Sequence, residues 1–205
     1  MQPGRRAVFL DRDGVLNASV VRDGKPYPPL SLSEVVIPED VPAAMAALKA
    51  QGFLLVCCTN QPDVGRGTQS QGVVESINRY VSDLLGLDGV EVCYDASDGG
   101  PRRKPEPGML LDAAKRLKID ISASYMVGDR WRDVEAGRRA GCTSILIDLA
   151  YEEPWPVAFA EHVVYSFGQA AELIAELEGK RKNSAPRQIH AESSHNTIDY
   201  NTVED

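Results

Sequence analysis

The sequence predicts an α/β domain built on a doubly wound, mostly parallel sheet with helices on both faces. Three observations carry this. Apolar runs of strand length alternate with stretches of helical period through most of the chain. Gly52, Gly86 and Gly141 each follow a helical stretch, where a left-handed residue past the last turn favours glycine. The connections between strand runs are of crossover length, which parallel neighbours require, and such crossovers are right-handed.

The elements follow in order. Strands are expected near residues 7–10, 53–58, 90–94, 124–127 and 143–147, with a weaker one near 162–165. Helices are expected near 42–51, 72–85, 107–117 and 132–140, and a last one near 169–178. Residues 18–41 lie outside the repeat; they carry "RDGKPYPPLS", rich in proline and polar residues, and read as an ordered flap over one rim of the sheet. From Gly179 onward, "GKRKNSAPRQIHAESSHNTIDYNTVED" has no apolar periodicity. The division is therefore a domain over 1–178 and a disordered tail over 179–205.

The chain has 205 residues, 43% of them hydrophobic, enough for one ordinary domain with a core. It contains no run of about 18 apolar residues, so no membrane span or signal peptide is expected. A net charge of −8 argues against a protein whose main work is holding nucleic-acid backbone, although a small pocket can still be locally basic. None of the four cysteines stands in a CxxC pair, and Cys57 and Cys58 lie inside the apolar "FLLVCCT". They read as small core residues in a reducing cytoplasm.

In a doubly wound sheet, ligands bind beyond the carboxyl ends of the strands. That rule gathers four loop segments on one rim: "DRDG", "TNQ", "RRKP" and "GDRWRD". In "VFLDRDGVLN" the strand ends at Leu10, and alternation of side chains can send Asp11 and Asp13 the same way from its tip. Gly14 lets the chain turn away. Thr59 and Asn60 follow the second strand, where small polar side chains and free backbone N–H groups suit phosphate oxygens; a satisfied turn accounts for them equally. Lys104 is a cation beside the stiff Pro105, or part of a solvated charge run. Asp129 ends an apolar strand, and Asp133, four residues on, is either a site residue or a helix cap.

As a set, these parts fit phosphoryl transfer, which needs an in-line nucleophile, cations around the equatorial oxygens and an acid for the leaving oxygen. Asp11 is expected to attack phosphorus, and Asp13 to protonate the leaving oxygen and then deprotonate water. Mg²⁺ is expected on Asp11, Asp129 and the backbone carbonyl of Asp13. Lys104 and the Thr59 hydroxyl complete the charge clamp.

The order "DRDGV", "TNQ", "RKP" and "GD" with a later aspartate resembles the four motifs of the haloacid dehalogenase superfamily of phosphatases, over roughly residues 7–150. Within it, "FLDRDGVLN", "TNQPDVGRGT" and "RKPEPGMLLDAAKRLKIDISASYMVGDRWRDVEAG" look most like the heptose 1,7-bisphosphate 7-phosphatases, with histidinol-phosphate phosphatases as near relatives. The resemblance implies little or no cap domain, in keeping with the short insertions. It also implies Asp11 as nucleophile, Asp13 as acid and base, Thr59 and Lys104 as phosphate binders and Arg103 as a substrate contact. Arg66 in "VGRG" faces substrate or is a surface arginine. Such relatives usually carry a zinc loop before "RKP"; here the stretch is "VCYDASDGGPRRKP", with Cys93 as its one cysteine and no histidine. One such ligand cannot build a Cys/His site, so no structural zinc is expected. Gly99, Gly100 and Pro101 are expected to shape the turn instead, presenting Arg102, Arg103 and Lys104 toward the pocket.

The expected function is thus magnesium-dependent hydrolysis of a small sugar phosphate by a cytoplasmic monomer, with no nucleic-acid or membrane partner. A histidinol-phosphate or broad small-molecule phosphatase is the alternative. A non-catalytic phosphate-binding module has no chemical need for Asp11, Asp13, Lys104 and Asp129 together. A nucleic-acid 3′-phosphatase would need basic or aromatic stretches that are missing outside the tail.

Overall fold

Leu10 ends a strand in which every residue is buried, because both faces of that strand are covered. The computed structural model describes residues 4–151 and 160–184. Within them a six-stranded sheet has the order β5-β4-β1-β6-β7-β8, from β1 (Ala7–Leu10), β4 (Leu54–Asn60), β5 (Gly89–Cys93), β6 (Tyr125–Gly128), β7 (Thr143–Ile147) and β8 (His162–Val164). Every pairing in it is parallel. The doubly wound sheet read from the sequence is the one observed.

Strand alternation separates two cores. Val8, Leu10, Leu55, Cys57, Val127 and Ile145 face one side, where they meet α1 (Val41–Ala50), α3 (Gln71–Leu85) and α6 (Phe167–Ser184). Ala7, Phe9, Val56, Cys58 and Met126 face the other, against α4 (Gly108–Leu117) and α5 (Trp131–Ala140). All four cysteines are buried and free. No helix among the described residues is long and apolar enough to cross a membrane.

The chain winds outward from β1 through β4 to β5, then returns to β6 on the other side of β1. The switch point therefore lies between β1 and β6, and it opens a crevice between the loops that begin at Asp11 and Asp129.

Four differences from the sequence reading have physical reasons. β4 runs two residues further than expected, pairing Thr59 with Val92 and Asn60 with Cys93, so both residues end the strand rather than follow it. The flap contains an antiparallel hairpin, β2 (Val20–Arg22) and β3 (Lys25–Tyr27), turned by Asp23 and Gly24 at positive φ. Asp-Gly between short extended runs is a strong hairpin signal. A short helix, α2 (Pro62–Gly65), follows β4. Finally, α6 runs to Ser184, six residues into the stretch read as a tail. Polar contacts hold its last turns: buried Glu178 accepts from the Tyr125 hydroxyl at 2.8 Å and pairs with Arg6, while Arg181 donates to the Ser122 carbonyl at 2.7 Å. Such contacts leave no apolar period to read. The rest of the expected tail, 185–205, lies outside the described residues.

Candidate active site

The β1 tip is shaped by a turn, not by continued alternation. Arg12 offers its carbonyl to the N–H groups of Leu16 and Asn17 at 2.9 and 3.0 Å, and Gly14 sits at φ +90°. A side chain on Gly14 would run into the Asp129 carboxylate, its Cβ 1.9 Å from Oδ2, so the glycine makes room for that group. Asp11 and Asp13 both line a cavity of about 550 Å³, together with Asn60, Arg66, Arg103, Lys104, Asp129 and Asp133. The β2–β3 hairpin contributes Lys25, Pro26 and Tyr27 to its outer wall.

Lys104, 1% exposed, is the more deeply buried of two buried cations that line this cavity, the other being Arg103. Its Nζ lies 2.9 Å from Asp11 Oδ1 and 2.5 Å from Asp133 Oδ1. Burial pushes the ammonium toward losing its proton, but the carboxylates of Asp11 and Asp133 outweigh it and hold the group above the ordinary lysine value. The Lys104 backbone is clamped by Asn60, whose Nδ2 donates to the Lys104 carbonyl at 3.0 Å and whose Oδ1 accepts from its N–H at 3.1 Å. Asn60, expected as a phosphate binder, thus holds the loop that carries the lysine. The Lys104–Pro105 bond is cis.

Asp133 serves in both roles that its position allowed. Its Oδ2 accepts from the Arg130 N–H at 3.1 Å at the start of α5, while Oδ1 holds Lys104. A Cβ on Gly128 would lie 2.1 Å from the Asp133 Cβ, so the glycine before Asp129 lets the helix start press onto the strand end.

Asp11, Asp129 and Asp133 are buried, and their carboxylate oxygens lie within 4.8 Å of one another. Neither oxygen of Asp129 makes a hydrogen bond of good geometry, and the nearby Tyr151 hydroxyl draws the carboxyl down only against larger opposing effects. Burial, with Asp11 and Asp133 adding, lifts the Asp129 carboxyl well above the usual range. Burial also raises Asp11, against the opposing pull of Lys104 and with Asp133 and Asp13 adding, from 3.8 to about 6. Hard oxygen donors clustered on buried carboxylates fit a divalent cation such as Mg²⁺. The side chain that completes this cluster is Asp133; the Asp13 carboxylate belongs to a separate system.

That system was not legible in the sequence. Arg12, 1% exposed, donates from Nε and Nη2 to the two oxygens of Asp13 at 3.1 and 2.8 Å, and from Nη1 to Asn78 of α3 at 2.7 Å. Asn17 donates to Asp13 Oδ1 at 3.0 Å. Gln61 donates to Asp13 Oδ2 at 2.8 Å and to the Thr59 hydroxyl at 2.9 Å. Thr59 is buried beneath the floor, linked to Asp13 only through Gln61, and is not among the residues lining the cavity. Gln61 stood inside the quoted "TNQ", but its long reach to Asp13 required the fold.

Backbone turns and side-chain bonds to the backbone shape the loop before Lys104. Gly99 takes φ +93°, and the Arg103 N–H donates to the Gly100 carbonyl at 2.9 Å. Arg103 is buried and lines the cavity, with Nη1 on the Asp95 carbonyl at 2.6 Å. Arg102 corrects the expected cationic edge: it turns outward to Glu91 at 2.8 Å and to Asp112, both of which neutralise it on the far side of the loop. Arg66 lines the cavity mouth, half-exposed and paired with Asp63 at 2.9 Å.

A strand-tip carboxylate beside a buried lysine, at the switch point of a parallel sheet and next to an acidic cluster suited to a hard cation, defines a hydrolase-type site. A family model described as HAD-hydrolase-like matches residues 101–153. The chain is 37% identical over 152 residues to a D-glycero-β-D-manno-heptose-1,7-bisphosphate 7-phosphatase of Mesorhizobium japonicum, covering 68% of this chain and 67% of that one. It is 36% identical over 155 residues to the protein of the same name in Escherichia coli K12, covering 69% and 78%. Among solved structures, the D,D-heptose 1,7-bisphosphate phosphatase of B. bronchiseptica, complexed with magnesium and phosphate, superposes with a TM-score of 0.70 at 28% identity, over 84% of this chain and 99% of that one. A HAD-like phosphatase from Mesorhizobium loti gives 0.69 at 32% identity, over 86% and 88%. The chain belongs to the HAD-like hydrolase family.

The lifted carboxyl of Asp129 has a consequence for stability. Above the unfolded-state value of about 4, the folded metal-free chain must keep a proton there or bear a buried charge, so stability is lost as the pH rises. In excess chelator, Asp129→Asn is expected to melt about 2–4 °C above the parent at pH 7.5, with the gap closing by pH 4.5. A variant that melts below the parent at pH 7.5 would show that Asp129 is stabilised in some other way.

Proposed function

We propose that this chain is a magnesium-dependent phosphomonoesterase that works through an aspartyl-phosphate, with D-glycero-D-manno-heptose 1,7-bisphosphate, cut at the 7-phosphate, as the favoured substrate. One observation carries the reading. Lys104 and the Arg12 N–H both engage Oδ1 of Asp11, at 2.9 and 2.8 Å, which leaves Oδ2 as the oxygen free to attack from the cavity. The relatives named for the heptose bisphosphate supply the choice of substrate.

In the first half-reaction, Asp11 Oδ2 forms a bond to phosphorus as the ester oxygen departs and takes a proton from Asp13. In the second, Asp13 takes a proton from water, the water oxygen bonds to phosphorus, and the bond to Asp11 Oδ2 breaks, releasing phosphate. Four hydrogen bonds, two from Arg12 and one each from Asn17 and Gln61, hold the Asp13 carboxylate in place for both proton transfers. Lys104 fixes Asp11 and faces the equatorial oxygens of the transferring group. Mg²⁺, held by Asp11, Asp129 and Asp133 with the Asp13 carbonyl, would offset the repulsion between these carboxylates and an incoming phosphate dianion. The fold and its bacterial relatives favour a small-molecule substrate met in the cytoplasm.

The test is a comparison of kcat/KM for the heptose bisphosphate, histidinol phosphate and nucleoside monophosphates with magnesium present. The heptose bisphosphate is expected to lead, and a strong chelator to stop turnover until magnesium is restored. Similar low efficiencies on every compound would overturn the substrate; turnover that persists in chelator would overturn the metal.

The two aspartates separate by leaving group. Asp11→Asn is expected to abolish turnover on all esters, because an amide cannot form the acyl-phosphate. Asp13→Asn is expected to cost about 10²–10⁴-fold on an alkyl phosphate and much less on p-nitrophenyl phosphate, whose leaving oxygen needs little protonation. Equal losses on both esters would remove Asp13 from the acid step.

A further inference from the structure

The outer wall of the cavity carries an arrangement that the chemistry at phosphorus does not use. Asp98 lies in the loop after β5, and one of its oxygens, Oδ1, accepts from Arg103 Nε and from Arg132 Nη1, each at 3.0 Å. Arg103 comes from the same loop, whereas Arg132 comes from the first turn of α5. A single carboxylate thus ties two elements that have no strand pairing between them. Both arginines line the cavity. The two are further restrained: Arg103 by its bond to the Asp95 carbonyl, and Arg132 by stacking of its guanidinium over the Trp131 ring at 4.8 Å.

We infer that Asp98 is a positioning residue that sets Arg103 and Arg132 side by side as a clamp for a second anionic group, remote from the phosphoryl group that is transferred. This rests on the phosphatase reading above and narrows it to substrates carrying two anionic groups.

The donor inventory supports the clamp. Each guanidinium has five N–H donors in a plane, and Asp98 takes one from each. Arg103 keeps Nη2 and Arg132 keeps its Nε–Nη2 edge, so one fork and one further terminal nitrogen remain for an anion, with a net positive charge after Asp98 is counted. Asp98 is itself well exposed, at 67% of its side chain, so it does not act by filling the core. The arginine contacts hold its carboxyl below the usual range, the bond from Arg103 contributing most, and it therefore stays charged through the neutral range. In this loop a carboxylate between two arginines makes the join to α5.

The experiment compares Asp98→Asn with the parent on a sugar bisphosphate and on the corresponding monophosphate, using the full chain with magnesium. Fructose 1,6-bisphosphate and fructose 6-phosphate are added beside the heptose bisphosphate as probes. The variant is expected to raise KM for the bisphosphates about tenfold more than KM for the monophosphate, with kcat moving less than KM on each. Arg132→Gln is expected to do the same, and the double variant to be no worse than either single one, because both act on one clamp. Asp98→Glu is expected to recover part of the loss. A KM ratio that Asp98→Asn leaves unchanged would overturn the inference alone. A parent that hydrolyses none of these esters would overturn the phosphatase reading and the clamp with it. A thermal melt of each variant within about 2 °C of the parent separates loss of the clamp from loss of the fold.

Discussion

The contact on which the site depends is the Lys104 ammonium between Asp11 and Asp133. It joins three parts of the chain that are distant in sequence: the tip of β1, the loop before α4 and the first turn of α5. A buried cation in such a place is stable only because carboxylates face it, and removing one partner of a buried pair typically costs about 3–5 kcal/mol. The arrangement also limits itself. One ammonium touches two of the three clustered buried carboxylates, and Asp129, the one it does not touch, is where the deficit of positive charge collects. A divalent cation is what such a deficit calls for, so the lysine and the proposed magnesium are two halves of one charge balance.

The second carboxylate of the DxD pair is held by different groups. Asp13 is fixed by Arg12, Asn17 and Gln61, and Arg12 is anchored in turn on Asn78 of α3. Two neighbours in sequence thus sit in unlike surroundings, one against a lysine and an acidic cluster, the other among neutral and cationic donors. That difference suits the unlike tasks proposed for them, covalent attack on one side and proton transfer on the other. The loops that complete the cavity are organised by backbone and charge: the Asn60 amide grips the Lys104 peptide, and Asp98 joins the preceding loop to α5.

Much of this was legible in the sequence because it depends on short-range order. Strands β1 and β7 fall where their apolar runs fall, and the glycines that close α3 and α5 take left-handed φ. The rim residues could be gathered because loops at the carboxyl ends of parallel strands share one edge. What escaped depends on long-range partners or on polar packing. Nothing local in the sequence marks Arg12 as a guanidinium that bonds Asn78, 66 residues away. Gln61 and the gripping role of Asn60 depend on the register of β4 against β5. Arg102 and Arg103 are adjacent and chemically alike, and only the turn at Gly99 and Gly100 decides that one faces Glu91 while the other faces the cavity. The last turns of α6 are held by Glu178 and Arg181, whose pairing leaves no hydrophobic period.

The most direct measurement of the central contact is the unfolding free energy of Lys104→Met, from denaturant titration in chelator at pH 7.5 and at pH 5. Methionine keeps the length and the apolar stem but removes the charge. If the ammonium organises the site, the variant loses about 3–5 kcal/mol at pH 7.5. Much of that lost stability returns at pH 5, where the Asp11 carboxyl, lifted to about 6 even beside Lys104, takes up a proton. A loss below about 1 kcal/mol at pH 7.5, or one that does not change with pH, would mean that Lys104 acts there as packing and that the charge balance lies elsewhere.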